Sequence, residues 1–159
     1  MRATKTRKQV PQKRESTKKN ATKPRKHEKQ DRYASRTGAV LFVRKLDQVA
    51  AFYRSVLGLR EVNRDGDHIL LESPGFQLVV HRIINDAATV ELSDPPDRRA
   101  SAALKPVFFV ERLANVRAIA KRHGGAMEPS SKEWSFDGVM ACDAVDPEGN
   151  VIQFREAQA

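Results

Sequence analysis

The chain has one cysteine, Cys142, among 159 residues. An internal disulfide is therefore excluded, and a lone thiol fits a reducing compartment, so a cytoplasmic protein is expected. No apolar run approaches the roughly 20 residues that a membrane span needs. The start of the chain lacks the apolar core of a secretory signal and the Leu/Ser-rich amphipathic pattern of a transit peptide. Acidic residues are scarce in the first 37 positions, where 14 Lys/Arg face 3 Asp/Glu for a net of +11. Residues 38 to 159 hold 15 against 17, a net of −2, so the chain's +9 belongs to a tail.

That tail, residues 1 to 37, also lacks apolar groups, with Val10 and Tyr33 its only sizeable ones after Met1. Such a segment cannot offset the entropy of ordering itself and reads as disordered. Its charge suits sequence-independent attraction to nucleic-acid phosphates or to an anionic membrane surface, or simple solubilisation.

What is present is a repeat. VLFVRKLDQVAAFYRSVLG at 40 to 58 lies over VFFVERLANVRAIAKRHGG at 107 to 125 without a gap. Seven positions are identical: Val40/Val107, Phe42/Phe109, Val43/Val110, Leu46/Leu113, Val49/Val116, Ala51/Ala118 and Gly58/Gly125. Chance gives about one, and self-similarity of this kind marks repeated units. The spacing of 67 then serves as a ruler between two modules.

Ala39 to Val43 reads as a buried strand, and from Asp47 the period turns helical, with Val49, Phe52, Tyr53, Val56 and Leu57 in one stripe. Asp47 is the expected N-cap and Gly58 the expected stop. A hairpin follows through Asp65-Gly66, and Ser73-Pro74-Gly75 turns the chain into a strand from Phe76 to Ile83. Residues 85 to 104 read as a connector, with an excursion near Thr89 to Leu92. Strand Val107 to Val110 and helix Leu113 to His123 then open the second module. Strand signals follow at Ala126 to Pro129, Gly138 to Asp143 and Asn150 to Arg155. The expected fold is α+β: module one at 38 to 84 and module two at 105 to 156, both βαβββ. They form a curved mixed sheet or partial barrel around a concave pocket, with the helices outside.

The tandem βαβββ order, the phrase LDQVAAFYRSVLGL and the closing phrase DPEGNVIQFRE resemble the vicinal oxygen chelate superfamily over residues 38 to 156. That group includes glyoxalase I, extradiol dioxygenases and bleomycin resistance proteins. The resemblance implies a divalent metal held on the concave face, with one ligand from the first strand and one from the last strand of each module. Carried onto this chain, those positions fall on Gly38, Lys105, Val79 and Gln153. Glycine and valine offer no ligand, lysine is normally protonated, and Gln153 stands where the enzymes usually carry Glu.

No cofactor is therefore expected, and no metal-binding residue is assigned. Alternation along the strands places Gln77, Val79 and His81 on one face, and Val151, Gln153 and Arg155 on another. His81, Gln77, Gln153 and Arg155 are the candidate ligand-binding lining. Trp134, beside Glu133 in the loop after Pro129, either closes over the pocket or packs plainly. His68 reads as exposed and His123 as a cation near a helix end. Cys142 reads as a buried structural thiol without a base to activate it. The group Asp143, Asp146 and Glu148 reads as turn chemistry.

Together these features point to a glyoxalase/bleomycin-resistance-like domain that binds a small molecule in the inter-sheet cavity without the usual metal site. One alternative is a metal-dependent lyase or dioxygenase with a displaced ligand set that includes His81 and Gln153. Another is a domain that residues 1 to 37 tether to nucleic acid. The resemblance also implies a homodimer, with the modules pairing within one chain or between two.

Overall fold

The computed structural model describes residues 37–83, 93, 97–99 and 101–158. Almost all of the basic tail, and the excursion expected near Thr89 to Leu92, lie outside them. Module one runs β1 (Thr37–Val43), α1 (Leu46–Leu57), β2 (Arg60–Arg64), β3 (His68–Ser73) and β4 (Phe76–Arg82). Module two runs β5 (Val107–Val110), α2 (Leu113–Arg122), β6 (Ala126–Met127), a 3-10 turn at Ser130–Lys132, β7 (Trp134–Phe136), β8 (Val139–Val145) and β9 (Val151–Ala157). The first sheet has the order β1-β4-β3-β2, and the second β5-β9-β8-β6, with β7 also paired to β8. In each module the first strand runs parallel to the last, and the remaining pairs are antiparallel.

The hairpin turn at Asp65 works as its residue type demands. Its carboxylate accepts the backbone N–H groups of Asp67 and His68, each at 2.9 Å. These bonds hold the Asp65 carboxyl below the ordinary range.

The start of α1 departs from the expectation. Lys45, not Asp47, is the N-cap residue, and it caps nothing with its side chain. Asp47 lies in the first turn and pairs with Arg64. The missing acceptor arrives from the other module: Glu148, in the β8–β9 turn, accepts the N–H groups of Arg44 and Lys45 at 2.7 and 2.6 Å. A carboxylate at a helix N-terminus satisfies orphan donors and suits the helix dipole. α2 is served in the same way by Glu156 of β9, which accepts from Leu113 N–H at 2.7 Å.

The helices do not cover the outside of this chain. They pack on each other, and one hydrophobic core joins Phe52, Tyr53 and Val56 of α1 to Ile69, Leu71, Leu78 and Val80 of the first sheet. The same core takes in Leu113, Val116 and Ala120 of α2 with Cys142, Ala144, Ile152 and Phe154 of the second sheet. Phe108 of β5 touches Tyr53, Phe76 and Phe154 edge-on or tilted. Each sheet spends one face on this shared core, so its other face is open. The sheets do not close around a pocket within one chain.

The paired glycines of the repeat serve different needs. Gly58 ends α1 with φ 65°, a left-handed conformation with open space around it. Gly125 has no such dihedral, and a Cβ there would run into the Phe52 ring and the Val145 carbonyl. In α2 the left-handed residue is Gly124, at φ 80°. The Ala51/Ala118 identity falls outside the buried stripe, since Ala118 is exposed.

Candidate functional site

Register turns the repeat into geometry. On module one, Val40 pairs with Val79 and Phe42 with His81. On module two, Val107 pairs with Gln153 and Phe109 with Arg155. The ruler of 67 maps Val40 onto Val107 and Phe42 onto Phe109. Val79 and Gln153 are therefore equivalent positions, and so are His81 and Arg155. All lie on the open faces.

The open face of module one has three rows across the sheet. Phe42, His81 and His68 form the first: His81 lies 5.4 Å from Phe42 and is stacked with His68 at 6.0 Å between ring centroids. The His81 Nδ1–H donates to the Arg82 carbonyl at 3.0 Å, and His68 Nδ1 faces the Asp65 carboxylate at 2.9 Å. Both imidazoles thus keep Nε2 free of these bonds. Val40, Val79 and Leu70 form an apolar middle row. In the third, next to Gly38, the Gln77 amide donates to Glu72 at 2.9 Å, and Arg60 approaches the same carboxylate at 3.8 Å.

Module two carries a polar chain on its open face. The Arg155 Nε donates to Gln153 Oε1 at 2.7 Å, and Gln153 Nε2 donates to Asp143 Oδ1 at 3.3 Å. Lys105 Nζ reaches both Asp143 oxygens, at 2.9 and 3.1 Å, and Arg98 adds a bond to Oδ2 at 3.0 Å. Burial pushes the Asp143 carboxyl up, but these partners outweigh it and hold the group below the ordinary carboxylate range. Gln153 is only 5% exposed. The Arg155 guanidinium carbon sits 4.8 Å from the Phe136 ring centroid and 5.9 Å from that of Phe109.

Trp134 lies on this face too. It belongs to strand β7, not to a loop, and is 40% exposed. Plain packing therefore does not describe it. Phe42 and Phe109 are 58% and 68% exposed, and Val40, Val107 and Phe136 are exposed as well. Each open face thus exposes several large apolar side chains, more than single scattered surface residues amount to.

The five expected site residues separate by sheet. Gln77 and His81 stand on module one, and Gln153, Arg155 and Trp134 on module two; one chain does not bring the two groups together. Sequence reasoning missed His68, which stacks on His81, and Asp143, which was taken for turn chemistry. The period-2 alternation of β3 and β8 carried the signal for both. Asp146 and Glu148 are turn residues as read, but buried ones: Asp146 accepts from Glu148 N–H, Asn150 N–H and the Asn150 amide. Cys142 is fully buried on the core side, and burial raises its thiol despite a bond from Arg117.

The residues at the metal positions do not fit a metal. A Cβ at Gly38 would press on the Gln77 carbonyl at 3.1 Å, and Lys105 spends its ammonium on Asp143. The Asp143 carboxylate is already saturated by three partners. Among the described residues, no three His, Cys, Asp or Glu side chains are grouped to hold an ion. No helix among them is long and apolar enough to cross a membrane.

A family model described as Glyoxalase/Bleomycin resistance protein/Dioxygenase superfamily matches residues 31–154. Among solved structures, a glyoxalase/bleomycin resistance protein/dioxygenase family enzyme from Burkholderia phytofirmans PsJN is 17% identical with a TM-score of 0.57, covering 76% of this chain and 96% of that one. An integron cassette protein from the mobile metagenome of V. cholerae is 21% identical with a TM-score of 0.52, over 76% and 93% of the two chains. The fosfomycin resistance protein FosX from Mesorhizobium loti is 10% identical with a TM-score of 0.55, over 77% and 91%. At these identities the likeness concerns the fold alone. A search of curated proteins finds no match.

Proposed function

The chain belongs to the Glyoxalase/Bleomycin resistance protein/Dioxygenase superfamily, and from that premise we propose that it binds a small molecule between a module-one face and a module-two face, without the four-ligand metal site of the family's enzymes. The observation that carries this reading is the saturated Gln153–Asp143–Lys105 chain, which fills the metal positions of module two with mutually satisfied polar groups. A well-connected network of this kind, part-buried around Gln153, is rigid and suits recognition better than metal binding.

The open faces supply the walls, and a second copy of the chain supplies the closure. Because the helices of one chain occupy the space between its own sheets, the module-one face of one copy needs the module-two face of another. Val40 and Phe42, repeated as Val107 and Phe109, give each copy the apolar edge for that pairing. The two cavities of such a homodimer would each be lined by Gln77, His68 and His81 from one chain and Gln153, Arg155 and Trp134 from the other.

A thermal-shift screen of metabolites and antibiotics, run with and without chelator, tests the reading. Ligands that raise the melting temperature equally in both conditions, and lose the effect in His81→Ala, are the expected result. Stoichiometric Zn, Ni, Mn or Fe in protein purified without chelator, with ligand protection dependent on it, would overturn the metal-free reading.

A second reading rests on the tail alone. Residues 38 to 159 carry −2, so any salt-sensitive binding of nucleic acid belongs to residues 1 to 37 with their +11. Deleting those residues abolishes such binding under this reading; unchanged binding would discard it.

A further inference from the structure

The Arg155 guanidinium is a cation that no described carboxylate of the chain matches. Its Nε is committed to Gln153, and Gln153 is in turn fixed by Asp143, so the side chain is held in one place. The rings of Phe136 and Phe109 flank its carbon. The other cations of this face are matched: Lys105 bridges Asp143, and Arg98 bridges Asp143 and Glu128. Among the described residues, Arg155 has no carboxylate within ion-pair reach, and its terminal nitrogens have no acceptor.

A guanidinium carries its five N–H donors in a planar fork that matches a carboxylate by two parallel bonds. Burying that charge under a second copy without a counter-ion is costly, since an uncompensated ion is strongly disfavoured away from water. The surroundings also specify the rest of the ligand. Across the sheet the open-face row reads Phe109, Arg155, Ala141, Trp134, with Phe136 beside it. Ala141 is the only small residue of the row, and it stands between the cation and the tryptophan. Flat aromatic surface on both sides of a cation accepts a flat apolar body attached to an acid.

We propose that Arg155, flanked by Phe109, Phe136 and Trp134, is the anchor for a planar organic carboxylate: the acid on the Arg155 fork, the flat body on the rings. This rests on the small-molecule reading above and names the chemical class of its ligand.

The probe is 2-naphthoate, titrated calorimetrically into the full chain, with its uncharged isostere 2-naphthamide and with acetate as comparisons. Sedimentation in the same buffer reports assembly. Naphthoate binds, and naphthamide and acetate bind at least about tenfold more weakly, as loss of a charged bidentate contact or of the stacking surface requires. Arg155→Met weakens naphthoate by about 10- to 100-fold, and Arg155→Lys, which keeps charge but not the fork, falls between. Phe136→Leu weakens naphthoate while leaving acetate unchanged. Quenching of Trp134, the single tryptophan, places the ligand on this face. Naphthamide binding as tightly as naphthoate, or naphthoate affinity untouched in Arg155→Met of normal melting temperature, would overturn the proposal. A monomer that still binds naphthoate through Arg155 would overturn the two-chain cavity and leave the anchor standing. A dimer that binds naphthamide and naphthoate alike would do the reverse.

Discussion

His81 and Arg155 occupy the same position in the two modules, each directly across a parallel strand pair from a phenylalanine, Phe42 in one case and Phe109 in the other. The duplicated phenylalanines hold their place while their polar neighbours differ, one an imidazole tied to a backbone carbonyl, the other a guanidinium between two rings. Under the proposed function these are two half-sites of different chemistry on one repeated frame, as an asymmetric ligand requires.

Both residues lie on open faces, outside the core, so their loss should spare the fold. His81→Ala and Arg155→Met are each expected to shift stability by less than about 1 kcal/mol, while abolishing ligand protection in a thermal-shift assay. A large drop in denaturant midpoint without ligand would instead make either residue a packing element.

Glu148 joins the modules at a single carboxylate. Its replacement by alanine removes the carboxylate that the N–H groups of Arg44 and Lys45 share at this part-buried junction, at a cost of about 2–4 kcal/mol. Glu148→Gln keeps an acceptor oxygen at the same place and should cost less than half as much. Urea denaturation of the two variants measures the difference.

The repeated glycines separate by substitution. Gly58→Asn tolerates a left-handed dihedral and should be mild, whereas Gly58→Ala costs about 1–2 kcal/mol. At Gly125 the obstacle is the Phe52 ring and a backbone carbonyl, so Ala and Asn both destabilise by about 1–3 kcal/mol, with Asn the worse. The same urea series would show the opposite ranking at the two sites.

Two aspartates give stability opposite dependences on pH. Asp143 has a lowered pKa in the fold, so its contribution is complete above the unfolded value near 3.8 and is lost as pH falls through the folded value. Asp146 is raised, by burial first and by neighbouring Glu148, so its contribution is present below 3.8 and is lost as pH rises through the folded value. The advantage of wild type over Asp143→Asn should therefore shrink on acidification below about pH 4. Melting curves across that range that stay a constant distance apart would contradict the ion pairs of Asp143.

Much of this was legible in the sequence, for identifiable reasons. Strand periodicity put Val79 and His81 on one face, and the alignment of the Pro74-Gly75 turn with the Pro147–Gly149 turn matched Val79 to Gln153, a match that the strand register bears out. The start of α1 was misread because its cap comes from Glu148, 103 residues away in the chain, and a search for a local Ser, Thr, Asp or Asn finds Asp47 instead. The outward-looking faces were equally hidden. A βαβββ unit has the same pattern whether its helix shields a pocket from outside or packs against the other helix of its own chain. Trp134 lacked any periodic neighbour long enough to mark its strand of three residues.

Mass in solution tests the central claim, that two copies join their open faces to make the ligand cavity. Sedimentation equilibrium of the full chain, at micromolar concentration and in chelator, should give twice the chain mass of 17.9 kDa. Phe109→Glu should reduce it to one chain with the circular dichroism unchanged. A wild-type protein that sediments as a single chain of 17.9 kDa, yet binds ligand through both His81 and Arg155, would contradict it.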